Sequence, residues 1–106
     1  MGLEGSPTYD LGELRALVRA GKFRVTGTAM DAASSLSFDE EDVRDCVLQL
    51  AASDFFKTMP SHHKAGLHQD VYRPMYAGVR LYVKVQIIHL HPTRNEMAVV
   101  ISFKRK

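Results

Sequence analysis

A chain of 106 residues, 45% hydrophobic and 25% charged, has room for one domain with one core. Its single cysteine, Cys46, excludes an internal disulfide, and no apolar run approaches the roughly 20 residues that a membrane-spanning helix requires. The net charge of +2 divides unevenly: residues 1–53 hold five basic and nine acidic side chains, residues 54–106 hold nine and three, and all five histidines lie in the second half. An acidic half joined to a basic half predicts an anion-binding face. The start, Met1 to Ser6, lacks the basic and apolar regions of a signal peptide, so a cytoplasmic location is expected.

Residues 1–8 read as a disordered lead-in to a single domain spanning 1–106. Asp10 is an N-cap, with Glu13 three residues on to complete a capping box. Leu11, Leu14, Leu17 and Val18 fall on one face of the helix that follows, and Gly21 ends it. Lys22 to Val25 is a short strand. Thr26-Gly27-Thr28 is a turn, with Thr28 capping a brief helix to Ala33. Ser34-Ser35 is a break. Asp39, or Ser37 with Glu40, caps the next helix, whose acidic first turn suits the positive end of the helix dipole. Val43, Cys46, Val47 and Leu50 recur at helical spacing, which makes Cys46 a buried, inert thiol.

From residue 54 the period changes to that of strands. Val79, Leu81, Val83, Val85 and Ile87 point one way, and Arg80, Tyr82, Lys84 and Gln86 the other. In the last segment Met97, Val99, Ile101 and Phe103 alternate with Ala98, Val100, Ser102 and Lys104. A turn through His91-Pro92-Thr93-Arg94-Asn95 makes these two segments a hairpin. Pairing His89 with Met97 sets Tyr82 opposite Lys104 and Lys84 opposite Ser102, with opposed Cβ atoms about 5 Å apart. Both pairs lie on the polar face, provided that no bulge interrupts the register.

Cleaving RNA without a metal needs a base for the 2′-hydroxyl, a cation for the charge on phosphorus, and an acid for the leaving 5′-oxygen. The basic half supplies all these types in Lys57, Arg73, Tyr82, Lys104 and the histidines. Its few carboxylates, Asp54, Asp70 and Glu96, make a two-metal nuclease a poor match. His62, His63 and His68 cluster in sequence, as do His89 and His91. With one cysteine and no HExxH or CxxC motif, a metal site is not expected. No Gly-rich phosphate loop or nucleophile elbow occurs, and no helix has the basic face of a DNA-groove reader.

Three stretches carry a family resemblance. They are Ser53-Asp54-Phe55-Phe56-Lys57-Thr58-Met59, Gln69-Asp70-Val71-Tyr72-Arg73-Pro74 and Val100 to Lys104, preceded by a weaker match at Pro7 to Leu11, Leu17-Val18 and Gly21. In this order and spacing they resemble the MqsR family of bacterial toxins. The resemblance implies a RelE- and YoeB-like α+β domain with a twisted, mostly antiparallel sheet flanked by helices. It implies an mRNA interferase: a toxin that inhibits translation and growth by cutting mRNA independently of the ribosome, favouring sites around GC-containing triplets. Lys57, Gln69, Tyr82 and Lys104 match the positions proposed for the family's active site, and Met59 and Arg73 match residues that support it. Phe56, His68 and Lys84 complete the expected set of RNA-contacting residues, and no cofactor is expected.

By the same resemblance the partner is an MqsA-type antitoxin, a zinc-binding protein with a helix-turn-helix domain. The chain would then meet DNA only through that partner, and no membrane is involved. Two positions depart from the family pattern. Phe56 stands where a tyrosine can occur, which leaves it as core or as a base-stacking platform, and His68 stands where a tryptophan occurs. The alternative reading is a non-catalytic RNA- or ribosome-binding module on the same fold. A ribosome-dependent nuclease is a third.

Overall fold

The computed structural model describes residues 5–62, 64–90 and 95–106. Three helices, α1 (Leu11–Arg19), α2 (Gly27–Ser35) and α3 (Glu40–Gln49), lead into the strands β2 (Phe55–Pro60), β3 (His68–Tyr72), β4 (Met75–Tyr76), β5 (Val79–Leu90) and β6 (Asn95–Arg105), while β1 (Phe23–Val25) lies between α1 and α2. The sheet runs β1-β6-β5-β3-β2, with β4 pairing β5. Only β1 with β6 is parallel among the described pairings; the rest are antiparallel. No described helix is long and apolar enough to cross a membrane.

Local chemistry sets the helix ends. Asp10 caps α1 by accepting from the Glu13 N–H at 2.9 Å, without a return bond from Glu13, so the expected capping box is one-sided. The helix closes in a Schellman turn: Gly21 N–H donates to Val18 and Lys22 N–H to Leu17, with Gly21 at φ 80°. The second helix begins earlier than expected. Thr26, not Thr28, caps it by accepting from Ala29 N–H, and the Thr26 hydroxyl also donates to the Ile101 carbonyl. Asp39 and Asp42 form a complete capping box on α3.

All three helices cover one face of the sheet. Leu14, Val18, Ala29, Ala33, Val43, Val47 and Leu50 meet Tyr72, Leu81, Val83, Val85, Ile87 and Phe103 in a single core. Cys46 belongs to this core, and burial, aided by Asp54, pushes its thiol up to about 12, so it is not a nucleophile at neutral pH. The side chains of Ala29 and Ala33 are small enough to let α2 lie close over β6.

Two bulges decide what reaches the other face. Phe55 pairs Tyr72 and Lys57 pairs Val71, leaving Phe56 as the extra residue on β2. On the long hairpin Tyr82 pairs Lys104 and Lys84 pairs Ser102, as expected, but Val85 then pairs Val100. Ile101 is the residue left over. Beyond it His89 meets Glu96 rather than Met97, and the faces of β6 exchange. Ala98 and Val100 therefore join Phe103 in the core, whereas Val99 and Ile101, expected to share the Phe103 face, turn away from the helices. The turn at 91–94 lies outside the described residues.

The lead-in is held rather than loose at its C-terminal end. Both oxygens of fully buried Asp70 accept backbone N–H groups, from Thr8 at 3.0 Å and Tyr9 at 2.9 Å, and the Thr8 and Thr58 hydroxyls are 2.7 Å apart. Hydrogen bonds to an ionised acceptor contribute about 1.5–3 kcal/mol. Asp70→Ala should destabilise the protein by roughly that amount, and hydrogen exchange should show faster exchange at the Thr8 and Tyr9 amides. Unchanged protection there would remove Asp70 as the anchor.

Candidate active site

The helix-free face of the sheet gathers the basic residues. Register places Lys57, Val71, Lys84 and Ser102 in one row across β2, β3, β5 and β6. Val71 is buried yet outside the helix-side core, so it forms an apolar floor between two lysines. In the adjacent row Tyr82 pairs Lys104, whose ammonium lies 5.1 Å from the centre of the Tyr82 ring. Lys57 and Lys104 thus flank Lys84 on one face, with Lys104 over the Tyr82 ring.

That arrangement has an electrostatic signature. The Lys84 ammonium is held below the ordinary lysine range, first by burial and then by the like charges of Lys104 and Lys57. A bound phosphate would relieve the repulsion; a neutral Lys84 could accept a proton. The sign of the stability effect follows. Below its lowered folded pKa, Lys84 is charged in both states and the folded state carries the cost. As pH rises through that value toward the ordinary lysine value, the unfolded chain binds more protons and the cost disappears. Lys84→Met should therefore melt higher than wild type at neutral pH, with the difference shrinking through the alkaline window. A constant difference in melting temperature across that range would refute the coupling.

Phe56, displaced outward by its bulge, is 36% exposed and is not part of the core. Its ring lies under two cations, the Arg73 guanidinium at 4.3 Å and the Lys57 ammonium at 5.5 Å. The missing hydroxyl is thus irrelevant to this contact; what Phe56 supplies is a π face that orients Arg73. Arg73 is fixed from its backbone too, donating its N–H to Asp54 O at 2.8 Å and accepting at its carbonyl from Arg80 Nη1 at 2.9 Å.

Gln69 is 6% exposed and pairs with Met59, so both stand on the same face as Lys57, two residues further along β2 and β3. His68 is placed differently. Strand alternation turns it away from Gln69, it is exposed, and its carbonyl accepts from the Tyr9 hydroxyl at 2.6 Å. The structure therefore brings together Lys57, Gln69, Tyr82, Lys84, Lys104, Met59, Phe56 and Arg73, and leaves His68 aside.

The carboxylates of the basic half are each engaged elsewhere. Asp70 binds the lead-in, Asp54 accepts from Ala51 N–H at 2.9 Å, and Glu96 lies 3.5 Å from His89. Among the described residues no three His, Cys, Asp or Glu side chains gather as a metal site.

The same face continues past Gln69 into a cavity of about 500 Å³. Its lining includes Arg24, Gln86, Val99 and Ile101, none of which was an expected site residue. Gln86 was legible as a polar-face residue of β5. Arg24 was not, because β1 reaches this face only by parallel pairing with β6, where Arg24 meets Val99.

A small α+β domain that buries one sheet face under helices and lines the other with lysines, an arginine and a tyrosine belongs to the class that handles polyanions. The model of the family described as the motility quorum-sensing regulator, toxin of MqsA, matches residues 6–105. The chain belongs to this MqsR toxin family. It is 32% identical over 101 residues to the mRNA interferase toxin MqsR of Escherichia coli (strain K12), covering 95% of this chain and 96% of that protein.

Proposed function

We propose that this toxin is an endoribonuclease that cuts mRNA at selected sites, without a metal and without the ribosome. The observation that carries the reading is the lysine cluster itself: Lys57 and Lys84 share one row of the sheet face, Lys104 pairs Tyr82 beside it with its ammonium 5.1 Å from the ring centre, and the Lys84 ammonium is held below its usual range first by burial and then by the charges of Lys104 and Lys57. A face built at such electrostatic cost matches a ligand with concentrated negative charge. Family membership and the curated relative's activity as an mRNA interferase support the same reading.

The chemistry needs only groups on this face. Removal of the 2′-hydroxyl proton lets that oxygen attack the adjacent phosphorus. Charge accumulates on the non-bridging oxygens, and the bond to the 5′-oxygen breaks as that oxygen takes a proton. The products carry a 2′,3′-cyclic phosphate and a 5′-hydroxyl. Lys57 and Lys104 stabilise the developing charge. Lys84, with its lowered proton affinity, and Tyr82 are the proton-transfer groups. Gln69 hydrogen-bonds a base edge or a phosphate oxygen. Arg73, stacked on Phe56, grips phosphate from a fixed position.

The partner in this reading is an MqsA antitoxin, which the family description names; the reading makes it a zinc-binding protein with a helix-turn-helix domain through which the toxin reaches DNA. The setting is the cytoplasm, where mRNA is available. The test is incubation of purified protein with a long unstructured RNA, in EDTA and without ribosomes, followed by mapping of the new 5′ ends. Discrete cuts with 5′-hydroxyl ends are expected. Cleavage seen only after adding translating ribosomes, or RNA binding with no cleavage at all, would each overturn the proposal.

A further inference from the structure

The end of the sheet that carries Lys57, Met59 and Gln69 is weakly paired. β2 is an edge strand whose one described neighbour is β3. Its pairing is interrupted by the bulge at Phe56 and stops at Pro60, which has no N–H to donate. The described pairing of β3 with β5 runs from Asp70 to Tyr72, so Gln69 lies just past that ladder.

Support comes from residues 5–9, on the helix side. Thr58 stands between Lys57 and Met59, and Asp70 between Gln69 and Val71, so strand alternation sends both side chains away from the reactive face. There Asp70 accepts the Thr8 N–H at one oxygen and the Tyr9 N–H at the other. The Thr8 hydroxyl lies 2.7 Å from that of Thr58, which donates to the Gln69 carbonyl over a longer 3.4 Å. The Tyr9 hydroxyl donates to the His68 carbonyl at 2.6 Å, and the Ile87 backbone of β5 hydrogen-bonds it as well. Gly5 lies along the same strand: a methyl group placed on it would stand 3.4 Å from Thr58 Cγ2.

Both peptide groups that flank the Gln69 Cα are therefore tied, through their carbonyls, to residues 8 and 9. Tyr9 also bridges β3 to β5 where their described ladder stops. Asp70 is fully buried. A buried carboxylate is a costly way to fill space, and what it adds over an apolar side chain is direction.

We propose that residues 5–9 are a positioning strap for the reactive face, with Asp70, Thr58 and Tyr9 as positioning residues that hold Lys57 and Gln69 in place beside Tyr82 and Lys104. The proposal rests on the RNA-cleaving reading for its effect on rate, but not for the strap's hold on β2 and β3. A displacement of about 1 Å at a reacting group lowers a rate by about 10²-fold. Lysine charges attract RNA over about 8 Å at physiological salt, so the same displacement leaves affinity nearly unchanged. Loosening the strap should thus lower the rate of the chemical step and spare binding.

The test uses the full chain with Tyr9→Phe, Thr58→Val and Asp70→Asn. The first two each remove one hydroxyl and keep the packed shape, so they report even if Asp70→Asn fails to fold. Three quantities are measured: single-turnover cleavage of RNA per folded molecule, affinity for the same RNA 2′-O-methylated throughout, which has no free hydroxyl to attack, and backbone amide hydrogen exchange. In each variant that folds, cleavage should fall roughly tenfold or more while affinity stays within about threefold. Exchange should quicken at residues 57–59 and 69 and stay unchanged at residues 83–85 and 103.

Lower melting temperatures with full cleavage per folded molecule would overturn the proposal and leave residues 5–9 a structural brace. Equal losses of cleavage and affinity would overturn it too, because the segment would then act on RNA binding. If wild type does not cut, the nuclease reading fails and exchange alone decides. Quickening confined to residues 57–59 and 69 then upholds the strap, and uniform quickening, or none, refutes it.

Discussion

Lys57→Ala is expected to lose about 10²–10³-fold in RNA cleavage while keeping the wild-type melting temperature within a degree or two. The physical basis is its position. Lys57 pairs Val71 in the row that ends at Ser102, and nothing of the helix-side core depends on its side chain. Under the proposed mechanism truncation removes one of three cations that would meet the phosphate, and with it one of the two charges that, after burial, lower Lys84. The Lys84 proton affinity should therefore rise in the variant, moving any alkaline limb of the rate profile to higher pH. Tyr82→Phe, which keeps the ring under the Lys104 ammonium, tests the hydroxyl alone. The measurements are initial cleavage rates across pH with thermal melts in parallel. Full activity in stable Lys57→Ala would remove that residue from the mechanism. An unmoved alkaline limb would remove Lys84 as a proton carrier.

The part of this site that was legible in the sequence follows from the parity of one hairpin. Tyr82 and Lys104 meet because strand side chains repeat every two residues, and the register between Leu81 and Lys84 is regular. The same arithmetic fails past Ile101, since a bulge is a backbone event and Ile101 fits an alternating apolar pattern as well as its neighbours do. That single extra residue moves Ala98 and Val100 into the core and gives Val99 to the cavity. Pairings between distant segments were harder still. Arg24 reaches the cavity through a parallel bridge to β6, and no local pattern in Phe23–Val25 signals it. Phe56 reads in the sequence as core or as a base-stacking platform, whereas it lies outside the core with its ring face beneath Arg73. The helix-side architecture was the most legible part, because apolar spacing in α1 and α3 and the aspartate caps are all short-range signals. The exception is Thr26, whose hydroxyl joins a helix N-terminus to the bulged β6, a link between residues 75 apart in sequence.

Adjacent residues on β6 offer the sharpest division between fold and chemistry. Phe103 is fully buried, packs edge-on against Phe38 with ring centres 6.1 Å apart, and points toward the helices. Lys104 is exposed and points the other way, over Tyr82. Phe103→Ala opens a cavity in the single core and should cost about 3–5 kcal/mol, enough to unfold much of the population of a marginally stable domain. Lys104→Ala leaves that core intact and removes a charge that presses on Lys84, so its stability should stay within about 0.5 kcal/mol or rise slightly. Its cleavage rate should nevertheless fall by two orders of magnitude or more. Urea titrations together with cleavage rates normalised to folded protein provide the comparison. Once normalised, Phe103→Ala should retain most of its activity per folded molecule, whereas no such correction can restore Lys104→Ala. Equal losses per folded molecule in both variants would mean that the two faces of β6 are not separable, and the division of this sheet into a structural side and a reactive side would have to be abandoned.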